Sequence, residues 1–171
     1  MRTVSRRPAI QAGPASTRAL DRLREQDIDV LGGWIRQPRQ DPPEIPRDLP
    51  GLPDLELMDL FREVNQWRKY LRVQLVAAEI DESSAAAKAR DAEAVALARS
   101  GARTVTAMKA AAKQDAGYAG AQALQADAYS YRKLVGALAE NLEGDAFLIS
   151  RELTRRTGEA PADRRNARRW Q

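Results

Sequence analysis

The stretch LQADAYSYRKLVGALAENLEGDAFLISREL, residues 124–153, decides the fold. Its apolar positions Leu124, Ala128, Tyr131, Val135, Leu138, Leu142, Ala146, Ile149 and Leu153 recur at alternating steps of three and four. That rhythm belongs to a helix with one continuous apolar seam. Gly136 and Gly144 lower helix propensity without breaking the pattern. Arg155 and Arg156 suit the negative end of the helix dipole, and Gly158 and Pro161 supply stop signals. The spacing predicts a helix over 119–157.

A seam of this length needs a partner, and the chain holds one upstream. Leu57, Leu60, Val64, Trp67 and Leu71 follow the same rhythm, and Leu75 and Ala78 continue it. Asp54 reads as the cap, with Glu56 in the first turn near the positive end of the dipole. Beyond Glu82 the face turns to alanine, at Ala85, Ala89, Ala92 and Ala96, which favours helix and lets a partner approach closely. The predicted helix runs over 54–99, ~65–70 Å at about 1.5 Å per residue. Ser100-Gly101 marks its end. Residues 100–118 read as a tip carrying a short helix over 104–113.

Two helices of similar length joined by a compact tip lie antiparallel. The bulky segment Leu57–Leu75 would then face Leu138–Leu153, and the alanine-rich part would face residues near the tip. The fold class expected is all-α, a long coiled-coil-like two-helix hairpin over 54–157. Phe61, Tyr70, Val73, Val76, Leu134 and Phe147 fall off the tightest seam. They are candidates for a second interface, either with the N-terminal helix folded back or with further copies of the chain.

Outward from the hairpin the composition changes. Residues 37–53 hold Pro38, Pro42, Pro43, Pro46, Pro50 and Pro53, a density that forbids helix and reads as an extended linker. Residues 16–36 read as a short helix with Ser16 as cap and Leu20, Leu23, Asp27, Val30 and Leu31 on approximately one face, ended or bent by Gly32-Gly33. Residues 1–15 read as a disordered basic tail, and 158–171 as an arginine-rich tail.

The net charge of +4 is unevenly spread. Residues 1–40 carry eight arginines against four acids, and 151–171 carry seven against three, while every lysine lies between them. Basic ends suit a polyanion. Arginine pairs with phosphate, so Arg151, Arg155, Arg156, Arg164, Arg165, Arg168 and Arg169 are the first candidates for nucleic-acid or partner contact. Arg2, Arg6 and Arg7 come second. Trp170 could stack on a base, and the expected mode is non-specific backbone binding.

Enzymatic chemistry finds little to work with. The absence of cysteine and histidine removes disulfides, thiolate nucleophiles, imidazole bases and Cys/His zinc sites. Acidic groups at Asp81-Glu82, Asp91/Glu93 and Glu140/Glu143/Asp145 read as solvated helix faces. No glycine-rich loop follows a strand pattern, so no phosphate-binding loop is expected. No cofactor and no metal are expected. No apolar run reaches the ~18 residues of a membrane span, and the basic start lacks the apolar core of an export signal, so an intracellular location is expected.

Several stretches resemble a family of small helical-hairpin proteins of actinobacterial tailed phages. They are Asp54-Leu-Glu-Leu-Met-Asp-Leu-Phe61, Tyr70-Leu-Arg-Val-Gln-Leu-Val-Ala-Ala-Glu79, Tyr131-Arg-Lys-Leu134, Asn141-Leu-Glu143 and Ser150-Arg-Glu-Leu-Thr-Arg-Arg156. The resemblance covers about residues 50–157. Among phage components the architecture looks like a terminase small subunit. It implies an oligomeric, non-enzymatic DNA-packaging adaptor in the host cytoplasm, with DNA, further copies of itself and a large motor subunit or portal as partners. The chain departs from that pattern at 16–36, where one helix stands in place of the two or three of a helix-turn-helix. A structural virion or scaffold-type protein, and a host-directed protein-binding regulator, remain open alternatives.

Overall fold

The computed structural model describes residues 13–26, 37–38 and 41–159. Expectations placed on the rest, residues 1–12 and 160–171 of the two expected tails and the C-terminal half of the predicted N-terminal helix among them, lie outside the described residues; residues 14–15 and 158–159, expected in the tails, are helical, so Gly158 is not the stop. Four helices follow in order: α1 (Pro14–Glu25), α2 (Asp54–Arg99), α3 (Val105–Ala112) and α4 (Ala116–Glu159). Among the described residues there is no strand.

The two long helices form the hairpin. Along α2, from Arg72 to Glu82, the ion-pair partners on α4 run backward from Glu143 to Arg132, so the helices are antiparallel. At the base, Leu57, Val64, Trp67, Tyr70 and Leu71 pack with Leu142, Ala146 and Ile149 in one buried cluster. Leu57, Val64 and Ile149 are fully buried. Towards the tip the buried residues shrink to Ala77, Ala78, Ala89 and Ala96, and Tyr118 closes the end against Ala96 and Ala112. The match of bulky to bulky and alanine to small follows the sequence.

Local signals explain the ends. Pro53 occupies the cap position of α2, so Asp54 is its first helical residue and not the cap. Arg99 ends α2, Ser100 donates to the Leu97 carbonyl, and Gly101 turns the chain at φ +61°, a region glycine enters without strain. Thr104 caps α3 through the Ala107 amide. Asp115 accepts from the Tyr118 amide at 2.9 Å, so α4 begins at Ala116, three residues before the expected start, with Gly117 and Gly120 inside it.

The apolar rhythm of α4 divides in two. Val135, Leu142, Ala146 and Ile149 are buried, but Leu124, Tyr131 and Leu138, expected on the same seam, are exposed by 65%, 36% and 54%. An alternating three-four pattern contains interleaved heptad series: Val135–Leu142–Ile149 and Ala139–Ala146–Leu153 face α2, and Leu124–Tyr131–Leu138 does not. Conversely Tyr70, expected outside the seam, is buried edge-on against Trp67, with ring centres 5.7 Å apart.

Helix α1 docks on α2 through one carboxylate. Asp81 accepts from the Gly13 amide at 2.7 Å, the Ser16 amide at 3.0 Å and the Ser16 hydroxyl at 2.7 Å. Ser16 is therefore not the cap expected of it. It lies in the first turn of α1, buried, and Asp81 caps the helix from 65 residues away. The carboxylate gives the first-turn amides a charged acceptor where the helix dipole favours one. A side chain on Gly13 would place its Cβ 2.6 Å from Asp81 Cγ, so the contact requires glycine.

Replacing Asp81 with alanine is expected to remove about 1 kcal/mol of capping and to speed hydrogen exchange over residues 14–25 while the hairpin amides stay protected. In contrast, Gly144→Ala meets open space inside α4 and should raise stability by roughly 0.5–1 kcal/mol in denaturant melts.

Candidate contact surfaces at the hairpin base and along α4

The base of the hairpin gathers the proline-rich segment, the start of α2 and the last turn of α4. Residues 41–53 are irregular, but they are not a free spacer: Ile45, Leu49 and Leu52 pack against the core cluster. Asp48 shapes the turn by accepting from the Gly51 amide at 3.1 Å, and the Leu52 amide donates to the Leu49 carbonyl. Proline's lack of an N–H leaves carbonyl oxygens as the segment's main offer to neighbours.

Arg156 takes up that offer. Its Nη2 donates to the carbonyls of Leu49 at 2.9 Å and Pro50 at 3.0 Å. Its Nη1 donates to the Leu52 carbonyl at 2.8 Å and to Asp54 Oδ1 at 2.6 Å, and its Nε to Glu152 at 2.7 Å. The planar five-donor fork suits such a converging set, and an ammonium would not match it. Expected among the outward contacts to nucleic acid or a partner, Arg156 is turned inward as a latch between the proline-rich segment 41–53, a strap across the base, and α4.

Glu152 holds two arginines at once. Arg155 reaches it with Nε at 2.8 Å and Nη2 at 2.6 Å, and Arg156 donates to the same carboxylate. These hydrogen bonds, Arg155 first and then Arg156, pull the Glu152 carboxyl down from 4.5 to about 2. The Arg156 guanidinium is raised in turn by its bonds to Glu152 and Asp54.

Two candidate arginines at this end face outward. Arg155 keeps nearly half of its side chain exposed beside Glu152. Arg151 is exposed, its guanidinium 5.7 Å from the Phe147 ring centre. Arg2, Arg6, Arg7, Arg164, Arg165, Arg168 and Arg169 lie outside the described residues.

The interface candidates separate by burial. Leu134 and Phe147 are exposed by 67% and 60%. Phe61 packs against the core cluster, Val73 is half-buried, and Tyr70 is buried. Phe61 and Tyr70 thus serve the hairpin's own core. Sequence reasoning missed Leu148, exposed by 53%, and assigned Leu124 and Leu138 to the wrong side of α4. Their seven-residue spacings, 124–131–138 and 134–141–148, were the available signal.

Near the tip an apolar groove of about 520 Å³ runs between α1, α2 and α4, lined by small residues such as Ala85, Gly120 and Ala121 with Leu124 at its side. The carboxylates read as a solvated face are partly structural: Asp81 caps α1 and Glu82 pairs with Arg132 across the hairpin. Among the described residues no group of three or more acidic side chains is arranged to hold a metal ion. No helix among them is long and apolar enough to cross a membrane. No protein-family model, no curated protein and no solved structure matches this chain.

The sign of the Glu152 shift fixes a pH dependence. A carboxylate bound more tightly to its partners when folded stabilises the fold above its unfolded value, near 4.5, and loses that contribution as pH falls towards about 2. The unfolding midpoint is expected to drop between pH 4.5 and 2, and Glu152→Gln should lower the midpoint at pH 7 while flattening the change in that window. Arg156→Lys should free the strap at neutral pH, read as faster exchange at the Leu52 amide with α4 still helical by circular dichroism.

Proposed function

We propose that this chain is a non-enzymatic, oligomeric adaptor of phage DNA packaging, similar in role to a terminase small subunit. The observation that carries the reading is the clustering of arginine at one end of a long hairpin. Arg151 and Arg155 lie outward on the last turns of α4, and Arg164, Arg165, Arg168 and Arg169 follow in sequence. Guanidinium groups pair with phosphates without reading base sequence, which suits a factor that holds DNA or hands it to a motor subunit. Arg2, Arg6 and Arg7 add charge from the other terminus. Arg156 is left out of the contact set because the strap and Glu152 use its donors.

Binding carried by these groups depends on counterion release. Affinity for duplex DNA of arbitrary sequence should fall steeply between about 50 and 200 mM salt. Arg164→Ala combined with Arg165→Ala should weaken binding equally on unrelated sequences and lower the slope of log affinity against log salt by about 2. A flat salt response, or no duplex binding at low salt, would count against DNA as the ligand. Recovery of the chain in purified particles at fixed stoichiometry would favour the structural virion reading, since a packaging factor leaves.

A further inference from the structure

Charge divides the hairpin into an acidic shaft and a basic tip. Within residues 41–93 and 115–150, acids outnumber arginines and lysines seventeen to nine. Between residues 94 and 114 stand four bases, Arg99, Arg103, Lys109 and Lys113, and no acid. They fall on the end of α2, the turn after it and α3 with its C-terminal cap. Ala112 packs with Ala96 and holds α3 against the end of α2, which gathers the four into one compact tip. All four are exposed.

Elsewhere the fold gives many of its cations a carboxylate. Arg24 pairs with Asp21, Arg62 with Asp59, Arg72 with Glu143 and Arg132 with Glu82. Among the described residues none of the four tip cations is in an ion pair. Asp115, the acid nearest to them in sequence, accepts from the Tyr118 amide. Lys109 and Lys113 stand one turn apart on the same face of α3. Helix α3 also begins at the tip with no acidic residue in its first turn, so the positive end of its dipole adds to the four charges. Gly101 turns the chain between Arg99 and Arg103, with open space where a side chain would stand. A phosphate backbone can approach closely there.

We propose that the tip is a second contact for duplex DNA, made through its phosphates and separate from the arginines that follow α4. Lysine and arginine hold phosphates without reading bases. The acidic shaft repels a duplex laid along it, so DNA meets the hairpin end-on. The two ends of α2 lie about 65–70 Å apart, so one chain holds two duplex segments separated by that distance. The class of partner rests on the DNA reading above, but the tip shares no residue with the contact set named there.

The test is binding of a labelled duplex of arbitrary sequence to full-chain variants at low salt, read by fluorescence anisotropy, with circular dichroism to confirm folding. A tail variant with Arg164→Ala, Arg165→Ala, Arg168→Ala and Arg169→Ala should keep a weaker, salt-dependent affinity that belongs to the tip. Adding Lys109→Gln and Lys113→Gln should weaken that remainder about tenfold or more. Adding Lys69→Gln and Arg90→Gln on the shaft removes the same charge and should change it little. Complete loss of binding in the tail variant would overturn the tip contact and leave the DNA reading standing. Residual binding that responds equally to the tip and shaft changes would also overturn it, because net charge alone would then explain the effect. Unchanged affinity in the tail variant, with loss on the tip changes, would support the tip and remove the tail from the reading. No binding by the wild type would overturn both.

Discussion

Everything in this molecule depends on the register between α2 and α4. A two-helix hairpin has a single seam, and its burial is the main source of stability. Here the seam is graded. Bulky side chains from Leu57 to Leu71 meet Leu142, Ala146 and Ile149 at the base, and alanines let the helices approach towards the tip. Sliding one helix by a heptad would bring leucine against alanine at one end and leave gaps at the other. Core packing tolerates neither overpacking nor voids well. The grading therefore fixes register where a uniform leucine seam would not.

Polar contacts then fasten other elements onto that frame. Asp81 holds α1, and Arg156 holds the proline-rich strap, each through several converging hydrogen bonds. Both are charged groups bonded mainly to backbone, where hydrogen bonds are stronger than between neutral groups. By contrast the exposed Arg72–Glu143 pair, at 3.8 Å, adds little. The strap also lends apolar cover, through Ile45, Leu49 and Leu52, to a core that two helices alone leave open. A thin hairpin thus gains a third layer at its base and another near its tip, while most of the length of α4 keeps an apolar stripe exposed.

The sequence was most legible where local chemistry decides. The bounds of α2 are legible in Pro53 and in Ser100-Gly101, because proline and glycine act on the residues beside them. The antiparallel pairing was legible in two long matched rhythms. Less was legible where a choice is made at a distance. Asp81 looks like any surface carboxylate until Ser16 arrives from 65 residues away. Arg156 looks like one more basic tail residue until carbonyls more than a hundred residues upstream converge on it. The division of the α4 rhythm into buried and exposed series was likewise hidden, since periodicity gives the stripes and only the partner helix picks one. The basic surface was legible as composition alone: its count could be read, but not which arginine the fold would use for itself.

Register is best measured directly, and the absence of native cysteine makes that simple. Arg72 and Glu143 face each other across the hairpin and are both exposed. With cysteines at those two positions, a short bifunctional thiol reagent should close an intramolecular cross-link rapidly, whereas cysteines at 72 and 150, one heptad away, should react slowly. Faster closure of the 72–150 pair, or equal rates for both, would contradict the register on which the hairpin, its strap and its exposed stripe all depend.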